Sequence, residues 1–254
     1  MINFWIAISC LLLLGLIFLG HYLKQEKGIS LGNIFFRKKN VVHRVRETGN
    51  FEVTVEEMIP PREKVDAKNV AKAEILLKRA EILLGKGESR DAEKLLIQAI
   101  SLDPSAVEAY NKLGLIYLRQ ELYGKAESIY RKLILTVLNE PAYHSNLGLA
   151  LYSQSKLEDA KTHYKKAIEL DASRAGRFFS LGQIMRELGE LDEAVAHLRK
   201  ALEMEPRNLD FMLSLAEFYL ERDLQGEARQ LIGEILLIDP ANEMALEMAE
   251  KVKA

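Results

Sequence analysis

The chain has little cysteine, proline or glycine, and no excess of either charge. Its 254 residues contain one cysteine, six prolines and 15 glycines, with 35 basic and 37 acidic side chains. Because Cys10 is the only cysteine, an intramolecular disulfide and a zinc or iron–sulfur site built from several cysteines are excluded. The small numbers of proline and glycine are typical of a folded chain rather than a disordered one.

Charge is distributed unevenly along the sequence. Residues 1–23 carry no Lys, Arg, Asp or Glu, and residues 24–47 carry seven basic and two acidic side chains. The rest of the chain holds 28 basic and 35 acidic side chains and is therefore acidic. Phosphate contacts need clustered positive charge, so a nucleic-acid partner is not expected.

The uncharged segment Ile2–Leu23 is long enough to cross a membrane. A helix of this length extends roughly 33 Å, against a hydrocarbon core of about 30 Å. No basic residue precedes it and no small-residue cleavage site follows it, which favours a retained transmembrane helix at 1–23 over a cleaved signal peptide. The basic residues that follow predict a single-pass protein with its N-terminus outside and its body in the cytoplasm, preferably at a bacterial plasma membrane.

Residues 24–65 are predicted to be a basic juxtamembrane tether. The triplet Arg37-Lys38-Lys39 follows a short apolar stretch, and two interpretations stay open: contact with anionic lipid, or a solvated linker. Asn50–Met58 alternates apolar and polar residues like a strand, but no partner strand is evident nearby. Pro60-Pro61 then ends regular structure.

The remaining sequence repeats itself every 34 residues. Leu-Gly pairs recur at 113–114, 147–148 and 181–182, and an acidic residue followed by proline closes three units. At one position of the repeat, all five units have alanine. This column consists of Ala92, Ala126, Ala160, Ala194 and Ala228. A fixed period of this length indicates a repeat architecture.

This pattern resembles the tetratricopeptide repeat, which pairs Leu-Gly in a first helix with alanines in a second and ends in proline. The resemblance implies an all-α, right-handed superhelical solenoid over 66–254, with five helix-turn-helix repeats and a C-terminal capping helix at 243–254. The repeats are 73–106, 107–140, 141–174, 175–208 and 209–242. Arg79-Ala80 replaces Leu-Gly in the first repeat, and Pro141 comes three residues late, which predicts a distorted turn.

Packing follows from the same columns. Glycine inside a helix costs about 1 kcal/mol relative to alanine, so Gly114, Gly148 and Gly182 are expected to admit a neighbouring backbone. The capping helix is expected to cover the last repeat around Met244, Leu246 and Val252.

The sequence offers no catalytic constellation, no metal site and no cofactor motif, so the protein is not expected to be an enzyme. His163 and His197 lie 34 apart and are expected on the outer face as solvated side chains. Gly85-Lys86-Gly87 is predicted to be a turn, because no strand precedes it and no Lys-Ser or Lys-Thr follows it.

In the tetratricopeptide family the first helices line a groove that receives a peptide or helix. The non-core side of three consecutive first helices is expected to form an apolar strip with a polar rim. The strip comprises Leu115, Leu118, Leu149, Tyr152 and Phe179, and the rim comprises Asn111, Arg119, Asn146, Gln183 and Arg186. A second interpretation is that some of these apolar residues pack between neighbouring repeats.

The favoured function is a membrane-anchored scaffold that holds a partner protein for assembly of a membrane or envelope complex. The alternatives are a protein similar to import receptors of the mitochondrial outer membrane and a non-catalytic regulatory subunit of an enzyme.

Overall fold

The computed structural model describes residues 66–253, which form eleven α-helices and no β-strand. The helices are α1 (Ala67–Gly85), α2 (Ser89–Leu102), α3 (Val107–Arg119), α4 (Tyr123–Thr136), α5 (Pro141–Tyr152), α6 (Leu157–Leu170), α7 (Ala175–Glu187), α8 (Leu191–Met204), α9 (Leu209–Glu221), α10 (Gln225–Ile238) and α11 (Glu243–Lys253). Each helix packs against the next along the chain. The predicted all-α repeat structure is confirmed.

The helices keep the 34-residue period of the sequence. Second helices α2, α4, α6, α8 and α10 all begin 34 residues apart, and so do first helices α3, α5, α7 and α9. Helix α11 begins 34 residues after α9 and therefore has the phase of a first helix. It packs against α10 and α9 as the unpaired first helix of a sixth unit.

The turn within each repeat has the same backbone conformation. One residue per turn has a positive φ, between 55° and 80°, and these residues are also 34 apart. They are Gly87, Glu121, Ser155, Gly189 and Asp223. Glycine adopts this conformation without steric cost. Glu121, Ser155 and Asp223 adopt it with a steric cost, because each has a Cβ.

The turn before α5 is regular, and the expectation that it would be distorted is wrong. Pro141 is the first residue of α5, where a missing N–H costs nothing because no intrahelical acceptor is available to it. The Glu140 side chain accepts a hydrogen bond from the Ala142 amide at 3.2 Å. The late proline therefore starts a helix instead of ending a repeat.

The turn before α7 lacks proline and is held by a buried arginine. Arg177 donates to the backbone oxygen and, at 2.7 Å, to the carboxylate of Asp171, and its Nε donates to the Ser145 hydroxyl at 3.0 Å. Asp171 also accepts a hydrogen bond from the Ser173 amide at 3.0 Å. Interactions with Ser173 and Arg177 hold the pKa of Asp171 well below its usual range.

The glycines of the first helices make room for a side chain of the second helix. A Cβ on Gly114 would lie 2.8 Å from the Tyr130 ring, and a Cβ on Gly148 would lie 2.8 Å from the Tyr164 ring. At Gly182 the neighbour is Leu198, 2.9 Å away. The expectation that a backbone fills this space is wrong for the first two, because an aromatic side chain needs the volume.

Of the three residues expected to cover the last repeat, only Val252 is buried. Met244 and Leu246 are exposed, while Ala245, Met248 and Val252 are buried against the last repeat. Residues three or four apart share a face of a helix, whereas Met244 and Leu246 are two apart and point outward.

The predicted transmembrane helix at 1–23 and the tether at 24–65 lie outside the described residues. Within 66–253, no helix is both long and apolar enough to cross a membrane.

Candidate functional site

The first-helix face is the non-core surface of α3, α5, α7 and α9. The structure distributes the ten predicted groove residues over the first three of these helices, and each keeps some exposure. Leu115 and Leu149 are 38% and 39% exposed, and Arg119 is also exposed. The other seven are partly buried. They are Asn111, Leu118, Asn146, Tyr152, Phe179, Gln183 and Arg186.

The α3–α5 half of this face is apolar. Leu115 and Leu149 occupy equivalent positions in consecutive repeats, and Leu118 packs partly against the core beside them. Within residues 66–253, no side-chain hydrogen bond or salt bridge joins α3 to α5. The two exposed leucines therefore have apolar surface available to a ligand.

Phe179 belongs to the packing between repeats. Its ring stacks on that of Phe211 in α9, with centroids 4.6 Å apart and an interplanar angle of 24°. Leu213, another residue placed on the groove side by its sequence phase, is buried. Aromatic and aliphatic side chains at these positions hold α7 against α9, so Phe179 is a poor choice for a ligand contact.

The α7–α9 half is polar and cross-linked. Arg186 forms salt bridges with Glu217, at 3.0 Å, and with Glu221. Gln183 donates to the Ser214 hydroxyl at 2.7 Å. These bonds connect consecutive first helices and leave both predicted rim residues occupied within the chain.

Tyr152 links the two halves. Its hydroxyl donates a hydrogen bond to the Glu187 carboxylate on α7. Partial burial and this bond to an anion raise the pKa of Tyr152 to about 12, so its hydroxyl stays protonated and remains a donor at neutral pH. The ring is partly buried against the core, which fixes its position.

Another polar contact joins α3 to the preceding first helix, α1. Lys112 forms salt bridges with Glu81 on α1, at 3.1 Å, and with Glu108 on its own helix, at 3.3 Å. Partial burial lowers the pKa of Lys112, but the two carboxylates outweigh this effect and the net shift is upward.

None of the partners in these contacts is among the ten predicted groove residues. They are Glu81, Lys112, Glu187, Ser214, Glu217 and Glu221. The sequence does contain a signal for these pairs. Polar residues 31 or 35 positions apart lie on consecutive first helices and form them.

The three histidines within 66–253 are partly buried, whereas the sequence predicts solvated side chains at His163 and His197. His144 on α5 and His163 on α6 stack with centroids 5.4 Å apart, and their Nδ1 atoms are 3.1 Å apart. Burial lowers the pKa of both rings. His197 packs beside Phe178, with centroids 6.0 Å apart. Among residues 66–253, no group of three His, Cys, Asp or Glu side chains is arranged to hold a metal ion.

An open depression of about 490 Å³ lies away from the first-helix face. It is lined by Arg90, Glu93, Lys94, Ile97 and Gln120, on α2 and the turn after α3. Lys94 is paired with Asp91 at 2.7 Å, so the charges around the depression do not converge on a common point.

Family models match most of the described region. Three models, each described as a tetratricopeptide repeat, match residues 77–140, 141–173 and 185–250. Together they cover more than half of the chain. No curated protein matches the sequence.

Several solved structures share the fold. YrrB, described as a TPR protein with an unusual peptide-binding site, is 23% identical over 69% of this chain and 90% of its own, with a TM-score of 0.61. MamA from Desulfovibrio magneticus RS-1 is 14% identical over 68% and 97%, with a TM-score of 0.64. PilF from Pseudomonas aeruginosa is 20% identical over 73% and 84%, with a TM-score of 0.62. At these identities the similarity establishes the fold alone.

Proposed function

Because the chain belongs to the tetratricopeptide repeat family, whose repeats mediate protein–protein interactions, we propose that the α3–α5 half of the first-helix face binds an apolar peptide or an amphipathic helix of a partner protein. The observation that carries this proposal is the exposure of Leu115 and Leu149 at equivalent positions on adjacent helices. Arg119 and Asn111 stand on the same helix as Leu115 and supply polar contacts beside the apolar ones.

The distance between Leu115 and Leu149 determines how far apart the apolar anchors of the ligand must be. Packed helices are about 8–10 Å apart. Apolar anchors at i and i+7 of a ligand helix share a face and are about 10 Å apart. Anchors at i and i+3 of a polyproline II peptide also share a face and are about 9 Å apart. The ligand therefore needs two apolar side chains at one of these spacings. YrrB, described as having a peptide-binding site, supports a peptide ligand for this fold.

The test is selection of peptides from a displayed random library on the full chain. We expect enriched peptides to carry apolar residues at i and i+3 or at i and i+7. Their affinity is then measured for Leu115→Asp, Leu149→Asp and the control Leu122→Asp. Leu122 has the same 38% exposure as Leu115 but lies in the turn before α4.

We expect Leu115→Asp or Leu149→Asp to weaken peptide affinity by about 10-fold or more. Leu122→Asp is expected to leave the affinity unchanged. Equal loss in all three variants, or no loss in any, contradicts binding at this half of the face. Circular dichroism of each variant controls for unfolding.

We further propose that residues 1–23 anchor the protein in a membrane and that the repeats lie in the cytoplasm, where they hold the partner for assembly of a membrane or envelope complex. The sequence carries seven basic residues within 24–47 and none before them, which supports this orientation. Arg37, Lys38 and Lys39 are proposed to contact anionic lipid. Protease added to right-side-out vesicles is expected to spare the repeats; their digestion contradicts the orientation.

A further inference from the structure

The two ends of the repeat stack present helix faces that the inner repeats bury. Each first helix from α3 to α9 packs on the second helix before it and on the second helix after it. No described helix precedes α1, and no described helix follows α11. The position within the repeat therefore identifies the side of α1 and the side of α11 that a further second helix would contact.

The free side of α1 is basic and apolar. Ile75 and Ile82 are 54% and 60% exposed, whereas the residues at the same positions of α3, α5, α7 and α9 are all buried. Four exposed basic side chains lie on this side, because steps of three and four residues return to one face of a helix. The N-terminal end face consists of Lys68, Lys72, Ile75, Arg79, Ile82 and Lys86.

The free side of α11 is acidic. In α3, α5 and α7 a glycine faces a side chain of the following second helix, and Glu250 has the same position in α11. Steps of three and four residues from Glu250 reach three further exposed residues. Lys251 lies at the edge of this side and pairs with Glu247 at 3.0 Å, which leaves an excess of negative charge. The C-terminal end face consists of Glu243, Leu246, Glu247 and Glu250.

One charged residue at each end blocks a further repeat of the same kind. Arg79 has the position at which α3, α5, α7 and α9 bury a leucine, and Glu250 has the position of the glycines. Burying either charge without a partner is costly. Polar ends keep a repeat stack soluble, but either sign of charge meets that need. It also does not account for exposed aliphatic side chains at both ends, where Leu246 is 46% exposed.

The two end faces are complementary in charge and in length. The N-terminal end face has four basic residues and no acidic one, and the C-terminal end face has three glutamates. Ile75–Ile82 and Glu243–Glu250 each extend about 10 Å along their helices. A contact between two identical end faces would set like charges against each other, whereas a contact between unlike end faces pairs opposite charges.

We propose that the N-terminal end face of one copy docks on the C-terminal end face of a second copy. Ile75 and Ile82 contact Leu246 across this interface, and Arg79 pairs with the glutamates around it. Because the two faces differ, each docked pair keeps one free face of each kind, and association continues into a longer chain or a closed ring. A contact only two helical turns long is small, so the association is weak and depends on protein concentration.

Cross-linking between two single-cysteine chains tests this docking. In a Cys10→Ser background of the full chain, one chain carries Ile75→Cys and the other Leu246→Cys, and a short bismaleimide is added. The control combines Leu246→Cys with Ile97→Cys, which is 45% exposed on α2 and outside both end faces. Each rate is divided by the reactivity of its thiols with N-ethylmaleimide. We expect the first pair to cross-link at least about 10-fold faster than the control, since docking raises the local concentration of the thiols.

Exchange of the two blocking charges separates docking from chance encounter. Adding Arg79→Glu to the first chain, or Glu250→Arg to the second, is expected to slow cross-linking by about 5-fold, because each sets like charges against each other. Adding both is expected to restore the rate, since opposite charges face each other again. Restoration also shows that neither substitution unfolds the chain.

Three outcomes overturn the proposal. The first is an equal rate in the Ile75→Cys and Leu246→Cys pair and in the control; if phosphatidylglycerol vesicles then protect the Ile75→Cys thiol, this face binds a lipid surface instead. The second is faster cross-linking of Ile75→Cys with itself, which identifies a symmetric dimer. The third is failure of the combined charge exchange to restore the rate in chains that keep their helicity by circular dichroism.

Discussion

The two halves of the first-helix face use equivalent positions of the repeat for opposite purposes. In the α3–α5 half, Leu115 and Leu149 are exposed and no polar bond of the described residues joins the helices. In the α7–α9 half, Gln183 and Glu217 stand at the same two positions and are bonded to neighbouring side chains. One half therefore keeps apolar side chains exposed, while polar bonds in the other half connect consecutive repeats.

The largest expected effect is a difference in stability between variants of the two halves. Phe179→Ala removes the ring that stacks on Phe211 and is expected to lower the free energy of unfolding by about 2–4 kcal/mol. Leu149→Ala, on the other half, is expected to change it by less than about 0.5 kcal/mol. Thermal unfolding followed by circular dichroism measures both. Similar losses in the two variants would remove the distinction drawn between the halves.

The next effect tests the packing that supports both halves. Gly148→Leu inserts a side chain where a Cβ already lies 2.8 Å from the Tyr164 ring, and is expected to destabilise the chain by about 1–3 kcal/mol. Gly176→Leu is the control, since no heavy atom lies within 4 Å of a Cβ built there. Both melting temperatures are compared with that of the parent chain. A stable Gly148→Leu variant would show that Tyr164 moves aside without cost.

A smaller effect is expected from the polar contacts of the α7–α9 half. Arg186→Met breaks the salt bridges to Glu217 and Glu221, and is expected to cost about 0.2–1 kcal/mol because both carboxylates are partly solvated. The loss should shrink as salt is added. Arg119→Met, on the other half, is expected to have no effect at any salt concentration. Urea titrations at low and high salt compare the two, and a salt-independent loss would indicate a packing role for Arg186.

The smallest effect is a dependence of stability on pH. Burial lowers the pKa of His163 below 6.5, and the neighbouring His144 and Arg131 lower it further, while Asp159 opposes them. The unfolded chain therefore binds more protons than the folded chain below about pH 6.5, so stability is full above this pH and falls as the pH is lowered. His163→Asn should flatten part of this dependence in urea titrations between pH 7.5 and pH 5, taken as roughly the range in which histidine titrates. An unchanged slope would show that the histidine pair does not contribute.

The repeat period and most buried columns could be predicted from the sequence because they rest on side-chain size at a fixed spacing. Ala92 and Ala160 are fully buried, as their column indicates. The predicted site residues were harder to assign. Phase alone placed both Phe179 and Leu149 in the apolar strip. Phe179 stacks on Phe211 of the next repeat, whereas Leu149 stays 39% exposed.

The sequence by itself determined the helical period, the position of the turns and the small residues at helix contacts, since these depend on local conformation and volume. Tertiary structure decided which surface residues are already engaged. Arg186, Gln183 and Tyr152 look available in the sequence, but partners 31 to 35 residues away bind them across adjacent first helices. It also decided that Ile75 and Ile82 are exposed, because burial at those positions requires a preceding helix that the repeats themselves do not supply.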